Sequence, residues 1–181
     1  MERTSISPTI DGHRLRTFGI VFLSLFAGVM PLAAGQSNSC KSAKTVEEFL
    51  MLWNNSVAGR GDRSRACTLQ LMTSDARITG AITENDKPKL IVENPQEFVR
   101  WYQEHPNEQF WERTLHSTVD VYENVARVTR TYEVRDSEHS PVKSTGIEDF
   151  QLIFRDGRWK AFAMLWQDAS AKHPLPTRYL P

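Results

Sequence analysis

The sequence predicts an α+β domain in which helices precede a long antiparallel meander of strands. Three observations carry that expectation. Apolar residues recur at helical spacing in two capped stretches ahead of Pro106. Strand-forming residues dominate four later runs, about 112–123, 125–135, 143–155 and 158–167. Glu123-Asn124 and Asp156-Gly157 then read as two-residue hairpin turns, the second being the strongest short hairpin signal there is.

The first helix opens at Thr45, which with Glu48 three residues later reads as a capping box. Val46, Phe49, Leu50, Trp53 and Val57 follow on one face until Gly59. After the turn "GRGD", a second short helix over about 63–72 offers Ala66, Cys67, Leu69 and Met72, and "ARITGAI" and "PKLIVE" read as short strands around "TENDKP". The third helix has Asn94 as its N-cap, Pro95 at its first position and Glu97 at its third. Phe98, Trp101 and Tyr102 form its apolar stripe before Pro106 stops it.

Side chains alternate along a strand, so the turns decide which residues share a face. Asp156-Gly157 pairs Arg155 with Arg158, Leu152 with Ala161, Phe150 with Ala163 and Glu148 with Leu165. Glu123-Asn124 pairs Tyr122 with Val125, Val119 with Val128, Ser117 with Arg130 and Leu115 with Tyr132. One face then collects apolar residues and only Ser117, Arg130, Tyr132 and Glu148 as polar ones, with Glu148 across from Tyr132. The ligand pocket expected there takes Trp53 and Trp101 from helices and Ser117, Val128, Phe150 and Leu165 from the sheet. Glu148, Arg130 and Tyr132 are the candidate catalytic residues: Arg130 and Glu148 could polarise a carbonyl and move a proton, or simply neutralise one another as an ion pair. On the opposite face Ile153, Phe162, Met164 and Trp166, beside Tyr122 and Val125, make an apolar patch that suits a homodimer, unless the tail "KHPLPTRYLP" folds back over it.

The N-terminus reads as a secretory signal over residues 1–35. Arg3, Arg14 and Arg16 precede the apolar run Phe18–Leu32, and the small residues of "AAGQ" follow, which places cleavage after Gly35. A run of 15 residues is short for a membrane span, so no stable anchor is expected after cleavage. The remainder divides into an N-terminal segment 36–43, one domain over 44–168 and a tail 169–181, in a secreted or periplasmic protein. From residue 36 onward 19 basic residues face 20 acidic ones, which gives no field for nucleic acid. Cys40 and Cys67 would meet oxidising conditions, where they could bridge the N-terminal segment to the second helix or stay as separate thiols.

The order of elements, together with "SVAGRGDRSRACTLQLMTSDARITG" and "STGIEDFQLIFRDGRWKAFAMLWQD", resembles the nuclear transport factor 2-like superfamily over roughly residues 43–167. More narrowly it is similar to the SnoaL-like branch, whose relatives include ketosteroid isomerases, scytalone dehydratase and limonene epoxide hydrolase. The resemblance implies a cone-shaped curved antiparallel sheet wrapped over three N-terminal helices, with a pocket at the open end and often a dimer across the outer face. The relatives' catalytic sets, an Asp base with a Tyr and acid pair or an Asp, Arg, Asp relay, cannot be placed on the face derived above.

Other motifs carry little. Arg60-Gly61-Asp62 spells an integrin-recognition triplet in a turn where Gly and Asp are expected anyway, and Asn54-Asn55-Ser56 is a glycosylation pattern on a helix. No metal site and no cofactor is expected, since ligand-spaced His, Cys and carboxylate clusters, phosphate loops and nucleophile elbows are missing from the sequence. Three functions follow: an exported binder of a small, largely apolar molecule; a cofactor-free isomerase, dehydratase or hydrolase; and a structural dimerisation module.

Overall fold

The computed structural model describes residues 39–84 and 87–181; the expected leader and its cleavage point lie outside them. Its elements run α1 (Val46–Val57), β1 (Gly59–Arg60), α2 (Ala66–Gln70), β2 (Met72–Glu84), β3 (Lys87–Glu93), α3 (Pro95–Glu104), β4 (Gln109–Tyr122), β5 (Val125–Arg135), β6 (Ser144–Arg155) and β7 (Arg158–Asp168), with a short 3-10 turn at Thr177–Tyr179.

Turn and cap chemistry decide where these elements begin and reverse. Asp156 and Gly157 both take left-handed backbone, φ 53° and 70°, which matches the twist of the β6–β7 hairpin they join. At α1 the Thr45 hydroxyl accepts from the Glu48 amide at 3.2 Å, and the Glu48 carboxylate accepts from the Lys44 amide, one residue earlier than a standard box requires. At α3 the reciprocal box is complete, Asn94 with Glu97 at 2.9 and 2.8 Å, and Pro95 occupies the first turn, where its missing N–H costs nothing. Arg65, itself buried, closes the other end of α1 by donating to the carbonyls of Ser56 and Ala58 while its guanidinium lies 4.5 Å over the Tyr102 ring of α3. Cys40 and Cys67 form a disulfide, with Cα atoms 5.2 Å apart, that ties the segment before α1 to α2.

The strands form one curved, unclosed sheet in the order β1-β4-β5-β6-β7-β2-β3. Two expectations need correcting here. The sheet is not wholly antiparallel, because β2 runs parallel to β7. The helices are not all N-terminal, because α3 follows β3. The core lies where α1 crosses the concave face: Phe49 and Trp53 meet the Phe150 ring edge-on, with centroids 5.2 and 5.0 Å away. Each such fully buried aromatic contributes on the order of 2–3 kcal/mol by removal from water.

Two bulges change which residues face inward. One extra residue in β7, at Phe162, shifts the pairing so that Leu152 still meets Ala161 but Gln151 meets Ala163, Phe150 meets Met164 and Glu148 meets Trp166. Met164 and Trp166 therefore point inward and Leu165 outward, the reverse of the expectation. An extra residue at Leu115 in β4 leaves Thr114 rather than Leu115 opposite Tyr132. Within the β5–β6 pair, Glu148 lies across from Arg130, and Tyr132 lies across from Gly146.

Candidate functional site

A cavity of about 490 Å³ lies between α1, α3 and the concave face of the sheet. Its apolar wall is aromatic: Trp53 from α1, Phe98, Trp101 and Tyr102 from α3, Phe110 from β4 and Trp166 from β7. Phe98 stacks on Trp53 at 5.9 Å, and Trp101 and Tyr102 pack edge to face on Phe110, so the rings hold each other rather than filling the space. Glycine makes room for two of the wall residues. The Trp166 ring lies over Gly80, where a Cβ would come 2.5 Å from Cζ2, and the Tyr132 ring lies over Gly146, where a Cβ would come 2.4 Å from the hydroxyl oxygen.

One corner is polar. Arg130 is fully buried and does not line the cavity; its guanidinium lies behind the wall and holds the wall's acids. Its Nε donates to Glu148 Oε2 at 2.6 Å and Nη2 contacts the same oxygen. Nη2 also donates to Glu112 Oε1 at 2.5 Å, while Nη1 donates to Asn54 Oδ1 at 2.5 Å and Thr114 Oγ1 at 3.0 Å. Glu148 and Glu112 line the cavity in front of it. Tyr132 completes the corner by donating its hydroxyl to Asp168 Oδ1 at 2.7 Å.

This arrangement sets the protonation chemistry. Burial lifts the Glu148 carboxyl to about 7; Arg130 pulls the other way, and Glu112, which shares that guanidinium, raises it further. Burial also raises the Tyr132 phenol well above its ordinary value, and Asp168, Glu148 and Glu112 add to the effect. Tyr132 is therefore a neutral donor. Arg130 stays charged, because the two carboxylates outweigh its desolvation. Of the groups in the corner, Glu148 is the one suited to exchanging a proton near neutrality.

The structure joins Glu148 and Arg130 in one hydrogen-bonded network, sets the Tyr132 ring 5.8 Å from the Arg130 guanidinium with its hydroxyl bonded to Asp168 instead, and places Trp53 and Trp101 on the cavity wall. Four other expected pocket residues are corrected. Val128 and Phe150 are buried in the core behind the cavity, Ser117 is exposed on β4 beyond it, and Leu165 is 50 % exposed on the outer face because of the β7 bulge. Met164 and Trp166 likewise leave the expected outer patch. Glu93, Glu112, Asp168, Phe98, Phe110 and Trp166 were missed as lining residues. For Trp166 and Asp168 the signal was the two-residue spacing from Met164, but either register of "MLW" presents an apolar face.

Two surface motifs lose their alternative meanings. Asn54 is the acceptor for Arg130, so its amide belongs to the buried network rather than to a glycan. Arg60 pairs with Asp62 at 3.1 Å, and Gly61 is pressed against the end of α3, its amide donating to the Glu108 carbonyl at 2.9 Å.

No protein-family model and no curated protein matches the chain. Among solved structures, a cystatin-like-fold protein of unknown function from Nostoc punctiforme superposes with a TM-score of 0.54 at 10 % identity, covering 70 % of this chain and 90 % of that one. A candidate ketosteroid isomerase from Parabacteroides distasonis gives a TM-score of 0.50 at 16 % identity, covering 70 % and 89 %. An NTF2-like protein of unknown function from Shewanella baltica gives 0.49 at 17 % identity, covering 69 % and 91 %. At such identities likeness speaks for fold alone, and what it shows is that this chain shares the cystatin-like fold of the Nostoc punctiforme protein and the fold of the candidate ketosteroid isomerase.

Proposed function

We propose that the domain is an exported binder of a small, largely apolar molecule, which it holds in the aromatic cavity. The observation that carries this reading is the cavity itself: about 490 Å³ left open by side chains large enough to fill it, with a largely aromatic and aliphatic wall and fewer polar groups among its lining residues. That is the size and composition of a small-molecule site, whereas a purely structural dimerisation module would gain stability by closing it. Export is supported by the leader sequence and by the Cys40–Cys67 bridge, which persists in oxidising compartments. The test is solvent extraction and mass spectrometry of the purified protein. A small molecule should be recovered from the wild type and lost from a cavity-filling Val134→Trp variant that keeps its fold. Recovery of nothing, together with no binding from an apolar library, would refute the reading.

A second reading, cofactor-free proton transfer on the bound molecule, rests on Glu148 with its carboxyl lifted to about 7. In it Glu148 carries the proton, Arg130 positions Glu148, and Tyr132 supports the corner through Asp168. Arg130 has no role as an electrophile, since its donors already serve Glu148, Glu112, Asn54 and Thr114. A first-order rate that follows an ionisation near 7 and vanishes in Glu148→Gln would support catalysis over binding alone.

A further inference from the structure

We infer that the cavity's occupant is an organic cation, an amine carried on an aromatic or otherwise apolar body, with the body among the rings and the ammonium in the acidic corner. The inference rests on the reading of the cavity as a ligand site and adds the chemical class of what enters it.

Charge is the first argument. Glu93, Glu112, Glu148 and Asp168 all line the cavity, and the one cation at the corner, Arg130, is taken up by Glu112 and Glu148. Lys143 also lines the cavity, but its ammonium is held by Asp136 at 2.9 Å. Among the described residues Asp168 accepts a side-chain hydrogen bond only from the neutral Tyr132 hydroxyl, and no ion pair reaches Asp168 or Glu93. The wall therefore keeps a negative surplus even with Glu148 protonated. Glu93 is already disfavoured as an anion, by burial and by Glu97, so a cation in the cavity would relieve it.

The rings are the second argument. Seven aromatic side chains line the same space, and electron-rich ring faces attract a positive charge and leave an anion unrewarded. Among the described residues no group of three His, Cys, Asp or Glu side chains is placed to hold a metal ion, so the cation is not a bare metal. An apolar molecule with one ammonium satisfies both the rings and the carboxylates.

Isothermal calorimetry with three probes on a common naphthyl body decides the matter: naphthylmethylamine, a cation near neutral pH; naphthalenemethanol, neutral; and naphthoate, an anion. The amine should bind about tenfold tighter than the alcohol, a gap of the size one cation–aromatic and carboxylate contact supplies. That gap should shrink several-fold in Asp168→Asn, whose amide oxygen still accepts from Tyr132, and in Glu93→Gln, and it should narrow with added salt. An alcohol or naphthoate that binds as tightly as the amine overturns the cation while leaving the ligand cavity standing. If none of the three binds folded wild-type protein, the cavity reading falls and the inference with it.

Discussion

Arg130 is the residue on which the polar corner depends. Its guanidinium is buried behind two carboxylates, so Arg130→Met would leave Glu148 and Glu112 facing each other without a cation. Stability should fall by about 3–5 kcal/mol, read as a lower urea midpoint. Glu148→Gln tests the other partner through pH. Its folded carboxyl titrates at about 7, above the ordinary value of a free glutamate side chain, about 4.5, so the stability it contributes is fully present below about 4.5 and is lost as pH rises through about 7. The advantage of the wild type over Glu148→Gln should therefore shrink across that interval; an advantage that grew with pH would show the carboxylate to be the favoured form. The inward position of Glu148 and Arg130 was readable because parity was counted from nearby turns and both bulges fall on the partner strands. Glu112 was not readable, because it lies beyond the Leu115 bulge, where parity reverses without a Gly or Pro to mark it.

At the scale of elements, two strands carry glycines because aromatic side chains lie across them. Gly146 on β6 faces Tyr132 on β5 in register, and the ring covers the space where a Cβ would stand. A methyl group there would come 2.5 Å from the Gln167 carbonyl as well, so both the hairpin and the ring must shift. Gly146→Ala should cost about 1–3 kcal/mol and break the Tyr132–Asp168 bond, visible as a changed near-ultraviolet circular dichroism signal. A variant as stable as the wild type with an unchanged signal would show that Tyr132 has other room. The starts of α1 and α3 were legible from caps, since Thr45, Asn94 and Pro95 act on their own neighbours, whereas α2, which has no side-chain cap, starts at Ala66 rather than near 63. The β7 register beyond Phe162 was not, since "FAMLWQ" offers an apolar face either way and packing on Ile78 and Gly80 of β2 decides.

For the whole molecule, the parallel pairing of β2 with β7 joins residues 86 to 89 apart in sequence, and no turn signal links them. The bulge in β7 turns Leu165 outward, and this pairing continues the outer apolar surface from β7 onto β2 and β3. Val92 pairs with Thr79, and Thr79 pairs with Leu165, so a row crosses β3, β2 and β7; Leu90 lies beside it on β3. Leu90, Val92, Phe162 and Leu165 are 65, 56, 49 and 50 % exposed. The tail does not reach this row, for the Thr131 hydroxyl on β5 holds the Tyr179 carbonyl, and Leu180 is itself exposed. We propose a second copy of the chain as the cover, in a homodimer across β3, β2 and β7 rather than through Met164 and Trp166, which serve the core and the cavity. A homodimer that uses the same patch on both copies closes on a twofold axis, and one glutamate brought into it would appear twice at the same interface. Leu165→Glu should therefore give a folded monomer where the wild type sediments as a dimer at micromolar concentration, because each copy would bury an unpaired carboxylate at a cost of several kcal/mol. Leu165 lies outside the cavity, so the monomeric variant should keep its affinity for a cavity ligand. A wild type that sediments as a monomer overturns the dimer, and a Leu165→Glu variant that remains dimeric moves the interface to another face.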